Sequence, residues 1–263
     1  MRRIAAVARN TFREAVRNKI LYSLLFFAVA LIVSALALGQ LSVHEERRMI
    51  RDVGLFGVDL FSVLIAIFVG VNLLYKELAL KTVYTILPKP IARWEFVLGK
   101  WLGVMATLVA QIVVMGAALA VTLAASEGSQ ALDSALFKAL WLLLMNVTIV
   151  TSVAMLFSSF SSPFLSGLFS LGVFVVGRSV PDVRALAERI GGGAADLLKG
   201  ACAVLPNLHL FTPSGTALGG QVVSVHGTFV GSGYLAWTTA YALGYSALVL
   251  GLAMVIFRKR DFV

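Results

Sequence analysis

The sequence predicts an all-α polytopic membrane protein with six transmembrane helices and with both termini in the cytoplasm. Of its 263 residues, 59% are hydrophobic and only 13% are charged, whereas an ordinary soluble domain carries about 25% charged residues. Six apolar stretches approach or exceed the roughly 20 helical residues that cross a hydrocarbon core of about 30 Å. Lysine and arginine gather in alternate connections between these stretches, which is the pattern that orients a multi-pass protein.

The predicted spans are residues 20–39, 54–75, 101–125, 139–160, 164–180 and 231–257. The fifth is short, and Pro163 fits its start because the first helical turn does not need the N–H that proline lacks. Within the first span, Ala35-Leu36-Ala37 resembles a signal-peptide cleavage site, so removal of this stretch is an alternative. Its full spanning length favours a retained helix.

The charge distribution predicts the orientation. Basic residues are in excess in 1–19, 76–100 and 258–263, which we assign to the cytoplasm. The outer connections, 40–53, 126–138 and 178–230, together carry as many acidic as basic residues. The net charge of +9 is therefore an orientation signal, and we exclude a nucleic-acid partner.

Residues 1–19 predict an amphipathic interfacial helix. Ile4, Val7 and Ala8 begin an apolar face at helical spacing, while Arg9, Arg13 and Arg17 recur every four residues on another face. Such a helix lies in the membrane interface, with its apolar side in acyl chains and its arginines on the phosphates of membrane lipids. The alternative is a basic flank that only sets orientation.

The external region 178–230 predicts two short helices, separated by three glycines at 191–193 and followed by Pro206. Both are too short to span, so we interpret them as interfacial or re-entrant helices that cap the bundle from outside. An ordinary extracellular loop is the alternative. The glycine-rich stretch that follows is predicted to be a loop with several turns.

No catalytic motif is complete in this sequence. Arg48 stands where HExxH requires its second histidine, and around Gly99-Lys100 two tryptophans replace the first glycine and the Ser/Thr of a P-loop. The predicted spans hold no histidine or lysine that would activate a serine. The single cysteine excludes an intramolecular disulfide and a cysteine-rich metal site. We therefore predict that the chain is not an enzyme and binds no metal.

Polar residues within the spans allow two interpretations. Asp59 and Asn72 are candidate path-lining residues; we expect Asp59 to be solvated near the outer interface, although lining a cavity or pairing with Arg51 are alternatives. Polar or small residues also follow the fourth and fifth spans: Asn146, Thr148, Thr151, Ser152, Ser158, Ser159, Ser166, Gly167, Ser170, Gly172 and Gly177. We interpret them as helix-packing positions rather than a substrate path.

The connection 76–100 predicts a stiff cytoplasmic structure. Apolar residues at helical spacing in 80–87 indicate a helix, Pro88 and Pro90 end it, and ARWEFVLGK predicts a second short helix. A flexible tether would instead be rich in Gly and Ser. A solvated loop is the alternative to a rigid docking element.

At these residues the sequence resembles the ABC-2 type exporter permeases, whose pattern runs Glu-x-x-x-Gly-Thr, then Pro-x-Ser-Arg, then Gly-Lys. The matching positions are Glu77, Thr82, Pro90, Arg93, Trp94, Glu95, Gly99 and Lys100, while Lys81 and Ala92 replace the usual glycine and serine. The resemblance covers nearly the whole chain, 1–263, as one transmembrane domain. Leu205-Pro206-Asn207 is also similar to permeases of the nitrous oxide reductase maturation branch.

The resemblance implies an exporter subunit in the plasma membrane, as in a bacterial inner membrane. ATP and Mg would bind a separate ATP-binding subunit, and two permease copies, identical or paralogous, would share a cavity lined by spans one, two and five. The implied ATPase-coupling residues are Glu77, Lys81, Thr82, Pro90, Arg93, Glu95, Gly99 and Lys100, together with the interfacial helix. The alternatives are an ATP-independent carrier or channel that uses Asp59, and a membrane anchor or assembly factor.

Overall fold

The protein is an all-helical bundle with one small β-ladder. The computed structural model describes residues 2–40, 46–79, 92–127, 133–190, 192–212, 214–216, 222–224 and 230–259. The helices are α1 (Arg2–Val16), α2 (Lys19–Gln40), α3 (Glu46–Ala79), α4 (Arg93–Glu127), α5 (Ser134–Ser158), α6 (Pro163–Arg178), α7 (Val180–Ile190), α8 (Gly192–Val204) and α9 (Ser232–Lys259). A 3₁₀ turn (Leu208–Phe211) and two antiparallel strands, β1 (Ser214–Thr216) and β2 (Val222–Ser224), precede α9.

The helices confirm the predicted polytopic class. Among the described residues, α2, α3, α4, α5 and α9 are each long and apolar enough to cross a membrane. The sixth span depends on α6 and α7, which together pass the same test but are bent by 67° at their junction. At 16 residues, α6 alone measures about 24 Å, less than the hydrocarbon thickness of about 30 Å.

Helices α3 and α4 extend well beyond the bilayer. They contain 34 and 35 residues and are therefore each about 50 Å long. The short helix predicted ahead of the third span is not separate: α4 begins at Arg93 and continues unbroken into the membrane, since no proline interrupts it. Its first turn is capped by the Glu95 carboxylate, which accepts the Ala92 backbone N–H at 3.1 Å.

Helix α5 lies at the centre of the bundle and contacts α3, α4, α6 and α9. The polar residues predicted to pack are buried along it. Ser158 donates to the Val71 carbonyl of α3 at 3.0 Å, and Trp101 of α4 donates to the Ser152 hydroxyl at 3.0 Å. These contacts support the packing interpretation for α5.

Small residues of α6 behave differently from those of α5. Ser166, Ser170 and Gly177 are buried, as the packing interpretation expects. A Cβ added at Gly167 or Gly172 would meet no atom within 4 Å. Gly167 and Gly172 of α6 therefore have no packing partner among the described residues of this chain.

The two short helices of the external region form as predicted, and their placement favours a re-entrant structure over a loop. Gly192 begins α8 with φ +68°, a conformation that glycine adopts without the steric cost of a Cβ. The Val204 carbonyl at the end of α8 accepts a hydrogen bond from the Tyr245 hydroxyl at 3.1 Å. Tyr245 lies about 20 Å along α9 from its start at Ser232, so α8 ends near the mid-height of that span.

Two further tyrosines of α9 form hydrogen bonds with the non-helical backbone that follows α8. The Asn207 N–H donates to the Tyr241 hydroxyl at 3.0 Å, and the Tyr234 hydroxyl donates to the Leu210 carbonyl at 2.6 Å. Non-helical backbone is tolerated at membrane depth only where its polar groups find partners within the protein. The tyrosine face of α9 supplies these partners.

We expect Tyr241→Phe to lower the free energy of unfolding by about 1–3 kcal/mol, because the buried Asn207 N–H loses its acceptor. Tyr22→Phe is the matched control, since the Tyr22 side chain is 52% exposed and its hydroxyl is expected to contribute little. The measurement is unfolding in mixed micelles, followed by circular dichroism. Equal stability of the two variants would show that the bond to Tyr241 is not needed.

Candidate coupling surface and buried ion pair

The amphipathic helix α1 packs closely against the N-terminal end of α4. A Cβ at Gly99 would lie 2.8 Å from the Val7 Cβ, and one at Gly103 would lie 2.5 Å from the Thr11 Cβ and 2.6 Å from the Ala8 carbonyl oxygen. These separations are too short for any side chain larger than hydrogen. The two glycines, four residues apart on one face of α4, therefore allow α1 to approach.

A buried lysine joins the same two helices. Lys100 is 2% exposed, its ammonium nitrogen lies 4.0 Å from the Glu14 carboxylate of α1, and it lies 5.7 Å from the centre of the Phe96 ring. A buried ammonium requires such partners, because leaving water costs several kcal/mol. The Gly99-Lys100 pair, singled out in the sequence as a coupling element, thus lies in the α1–α4 contact.

This contact corrects the environment expected for α1. We predicted that its apolar face lies in acyl chains, but Ala15 of that face is buried and Val7 lies against Gly99 of α4, while Ile4 and Ala8 are half-buried. The sequence could not distinguish lipid from protein as the partner, because both are apolar. Arg9, Arg13 and Arg17 are exposed, as predicted.

The remaining coupling residues flank the connection between α3 and α4. Glu77 lies in the last turn of α3, and Arg93 is the first residue of α4. Glu95 caps α4, as described above. Lys81, Thr82 and Pro90, with the helix predicted over 80–87, lie outside the described residues. Glu77 and Arg93 therefore mark the two ends from which this connection leaves the bundle.

Asp59 is engaged in a buried network that links α3, α5 and α6. It is 3% exposed, one carboxylate oxygen accepts a hydrogen bond from the Asn146 amide at 2.9 Å, and the other is in direct contact with the Arg178 guanidinium. Arg178 also lies 5.9 Å from the centre of the Phe174 ring. The network holds the end of α6, just before its 67° bend, against the centre of the bundle.

The expectation that Asp59 is solvated is wrong, and its partner is Arg178 rather than Arg51. The sequence signal for this pair was an arginine at the outer end of a short span, at the same predicted depth as Asp59. The sequence did not reveal the pair, because 119 residues separate Asp59 from Arg178. Since an arginine stays protonated, the paired carboxylate is not the accessible ion-binding group that an ion-coupled carrier would need.

Asn72 lies near the C-terminal end of α3 and donates to the Phe68 carbonyl of its own helix at 2.8 Å. It lines a cavity of about 840 Å³, whose other walls are the end of α1 and the start of α2. Asp59 and Asn72 are 13 positions apart on α3, or about 20 Å. The structure therefore does not bring the two candidate path-lining residues together.

The described residues define an integral membrane protein in which a few polar side chains within the spans, among them Asp59, Asn146 and Ser158, join neighbouring helices. Residues 5–262 match the family described as ABC-2 family transporter protein, and the chain belongs to that family. It is accordingly a permease of the ABC-2 type, a membrane component of a transporter. No curated protein shows a significant sequence match to the chain.

Proposed function

We propose that the chain is the permease subunit of an ATP-driven exporter in the plasma membrane, and that a separate ATP-binding subunit docks on α1 and on the connection between α3 and α4. ATP and Mg bind that partner subunit, and this chain contributes no catalytic residue. The family supports an ATP-binding partner in general. The tight contact between α1 and α4 is the observation that carries the proposal for this chain.

Coupling to a partner subunit requires stiff helices that transmit movement into the membrane. α4 is continuous from Arg93 to Glu127, and α1 is attached to its first three turns through Gly99, Lys100 and Gly103. A force applied at α1 or at the connection is therefore transmitted along a continuous helix into the bilayer. A partner that changes shape with its nucleotide state would move α4 without first bending a flexible loop.

We further propose that two permease copies pack together, with α2 and α6 at or near their shared surface. Only 22% of the α2 span is buried within this chain, against 72% of α5. α6 leaves Gly167 and Gly172 open, and small residues of this kind allow transmembrane helices of separate chains to approach closely. The second copy is identical or a paralogue.

Charge reversal at the start of α4 tests the coupling. We expect Arg93→Glu to abolish stimulated ATP hydrolysis and most copurification of the ATP-binding subunit, while the permease still inserts into the membrane. Arg184→Glu is the matched control, because Arg184 is exposed on α7 at the opposite side of the membrane. The measurements are the stoichiometry of the ATPase after mild detergent extraction and its hydrolysis rate.

Two results would contradict this proposal. If Arg93→Glu prevents insertion, the connection is a folding element rather than a docking surface. If intact permease purifies without any ATPase, the chain acts as an anchor, an assembly factor or an ATP-independent carrier. Glu77→Lys, at the other end of the connection, is expected to reproduce the Arg93→Glu result.

A further inference from the structure

The elbow between α1 and α2 forms one side of an open polar cavity. Its volume is about 840 Å³, and it opens beside the end of α3 that we assign to the cytoplasmic side. The lining residues that matter here are Arg13, Glu14, Arg17, Asn18, Lys19 and Asn72. The cavity therefore lies where the interfacial helix meets the first transmembrane span.

The lining carries an excess of positive charge. It includes three cations, Arg13, Arg17 and Lys19, and one carboxylate, Glu14. Glu14 faces a cation outside the lining, since Lys100 lies 4.0 Å from its carboxylate. Within the described part of the chain, no carboxylate lies within ion-pair distance of Arg13, Arg17 or Lys19.

The start of α2 adds to this positive potential. α2 is 22 residues long and begins at Lys19, directly after the turn at Arg17 and Asn18. Asn18 caps it, because its side-chain oxygen accepts the Ile20 N–H at 3.0 Å. The first turn of a helix carries partial positive charge, which favours a nearby phosphate.

The position of the cavity selects the kind of phosphate. Lys19 is the first residue of a candidate membrane span, so the cations stand at the level where the acyl chains end and the headgroups begin. Three apolar residues, Ala15, Ile20 and Val69, also line the cavity, and Ile20 is 44% exposed. A ligand that suits this site has an anionic head and an apolar body.

We propose that the elbow is a binding site for the headgroup of an anionic phospholipid from the cytoplasmic leaflet. The phosphate lies between Arg13, Arg17 and Lys19 at the start of α2, and the acyl chains descend past Ile20. Because α1 is fixed to α4, a bound lipid holds the elbow, α1 and α4 in one arrangement.

The test compares two variants of equal charge. Arg13→Gln with Arg17→Gln removes two cations from the cavity, whereas Arg2→Gln with Arg3→Gln removes two exposed cations of the same helix that do not line it. The purified full-length chain is titrated with short-chain phosphatidylglycerol, and native mass spectrometry gives the fraction bound. We expect about a tenfold loss of affinity in the first variant, and less than about twofold in the second.

Three results would overturn the proposal. Equal losses in the two variants would mean a diffuse basic surface rather than a site. Equal binding of phosphatidylcholine, or displacement of the lipid by inorganic phosphate at the same concentration, would mean that the site does not select an anionic lipid. Unchanged lipid binding with loss of the ATP-binding subunit would assign the cavity to an acidic protein segment.

Folding of the variants is checked separately from binding. Circular dichroism and unfolding without added lipid are compared with those of the unchanged chain. If the double variant at Arg13 and Arg17 does not fold, Lys19→Gln is used in its place, with Arg2→Gln as its control. A loss of affinity in Lys19→Gln but not in Arg2→Gln supports the site, and equal affinities overturn it.

Discussion

Arg178→Leu is expected to lower the free energy of unfolding by about 3 kcal/mol. Removing one partner of a buried ion pair costs about 3–5 kcal/mol, because the remaining charge is left without compensation. Asp59 would keep only its bond to Asn146. We expect the lower end of the range because the Arg178 side chain is 34% exposed. The measurement is equilibrium unfolding in mixed micelles.

The double variant Asp59→Asn with Arg178→Leu should lose less stability than Arg178→Leu alone, since it contains no unpaired charge. Arg184→Leu is the surface control, and we expect a change within about 0.5 kcal/mol. If the effects of the two single substitutions simply add in the double variant, Asp59 and Arg178 do not interact energetically. The proposed role of the pair in holding α6 would then be wrong.

Gly103→Ala is expected to separate α1 from α4. The new Cβ would lie 2.5 Å from the Thr11 Cβ and 2.6 Å from the Ala8 carbonyl oxygen, and neither atom can move without moving α1. Overpacking of this kind costs about 1–3 kcal/mol. We expect a lower Tm and faster tryptic cleavage at the exposed arginines of α1, measured on the purified protein.

Gly251→Ala is the matched control for this substitution. It lies in the helix interior of α9, and its Cβ would meet no atom within 4 Å. We expect it to be neutral or to stabilise the protein by up to about 1 kcal/mol, because alanine favours helix over glycine. If the docking proposal is right, only Gly103→Ala also reduces copurification of the ATP-binding subunit. Identical behaviour of the two variants would contradict the tight α1–α4 contact.

Composition and periodicity predicted most of the architecture. The spans follow from the thickness of the bilayer, which sets a minimum apolar length that can be read directly from the chain. The break between α7 and α8 was predicted from the glycines at 191–193, and Gly192 has the positive φ that explains it. These features are local, so neighbouring residues alone determine them.

The sequence was less informative about where polar residues lie. It could not pair Asp59 with Arg178, because that contact depends on how α3, α5 and α6 pack. The sequence also predicted a separate short helix over 92–100, although residues 93–100 are the start of α4. Helical periodicity does not report whether two adjacent helical segments are joined.

By itself, the sequence determined the class of fold, the positions of the five long apolar helices that the structure describes and the residues that resemble a coupling element. Only the tertiary structure decided that Gly99, Lys100 and Gly103 hold α1 against α4. It also decided that the Asp59 carboxylate is paired with Arg178 inside the bundle. The physical reason is that some free energies depend on a single residue, whereas others depend on which two residues come into contact. Transfer of a residue into the membrane depends on that residue's own polarity, whereas packing and ion pairing depend on which surfaces meet.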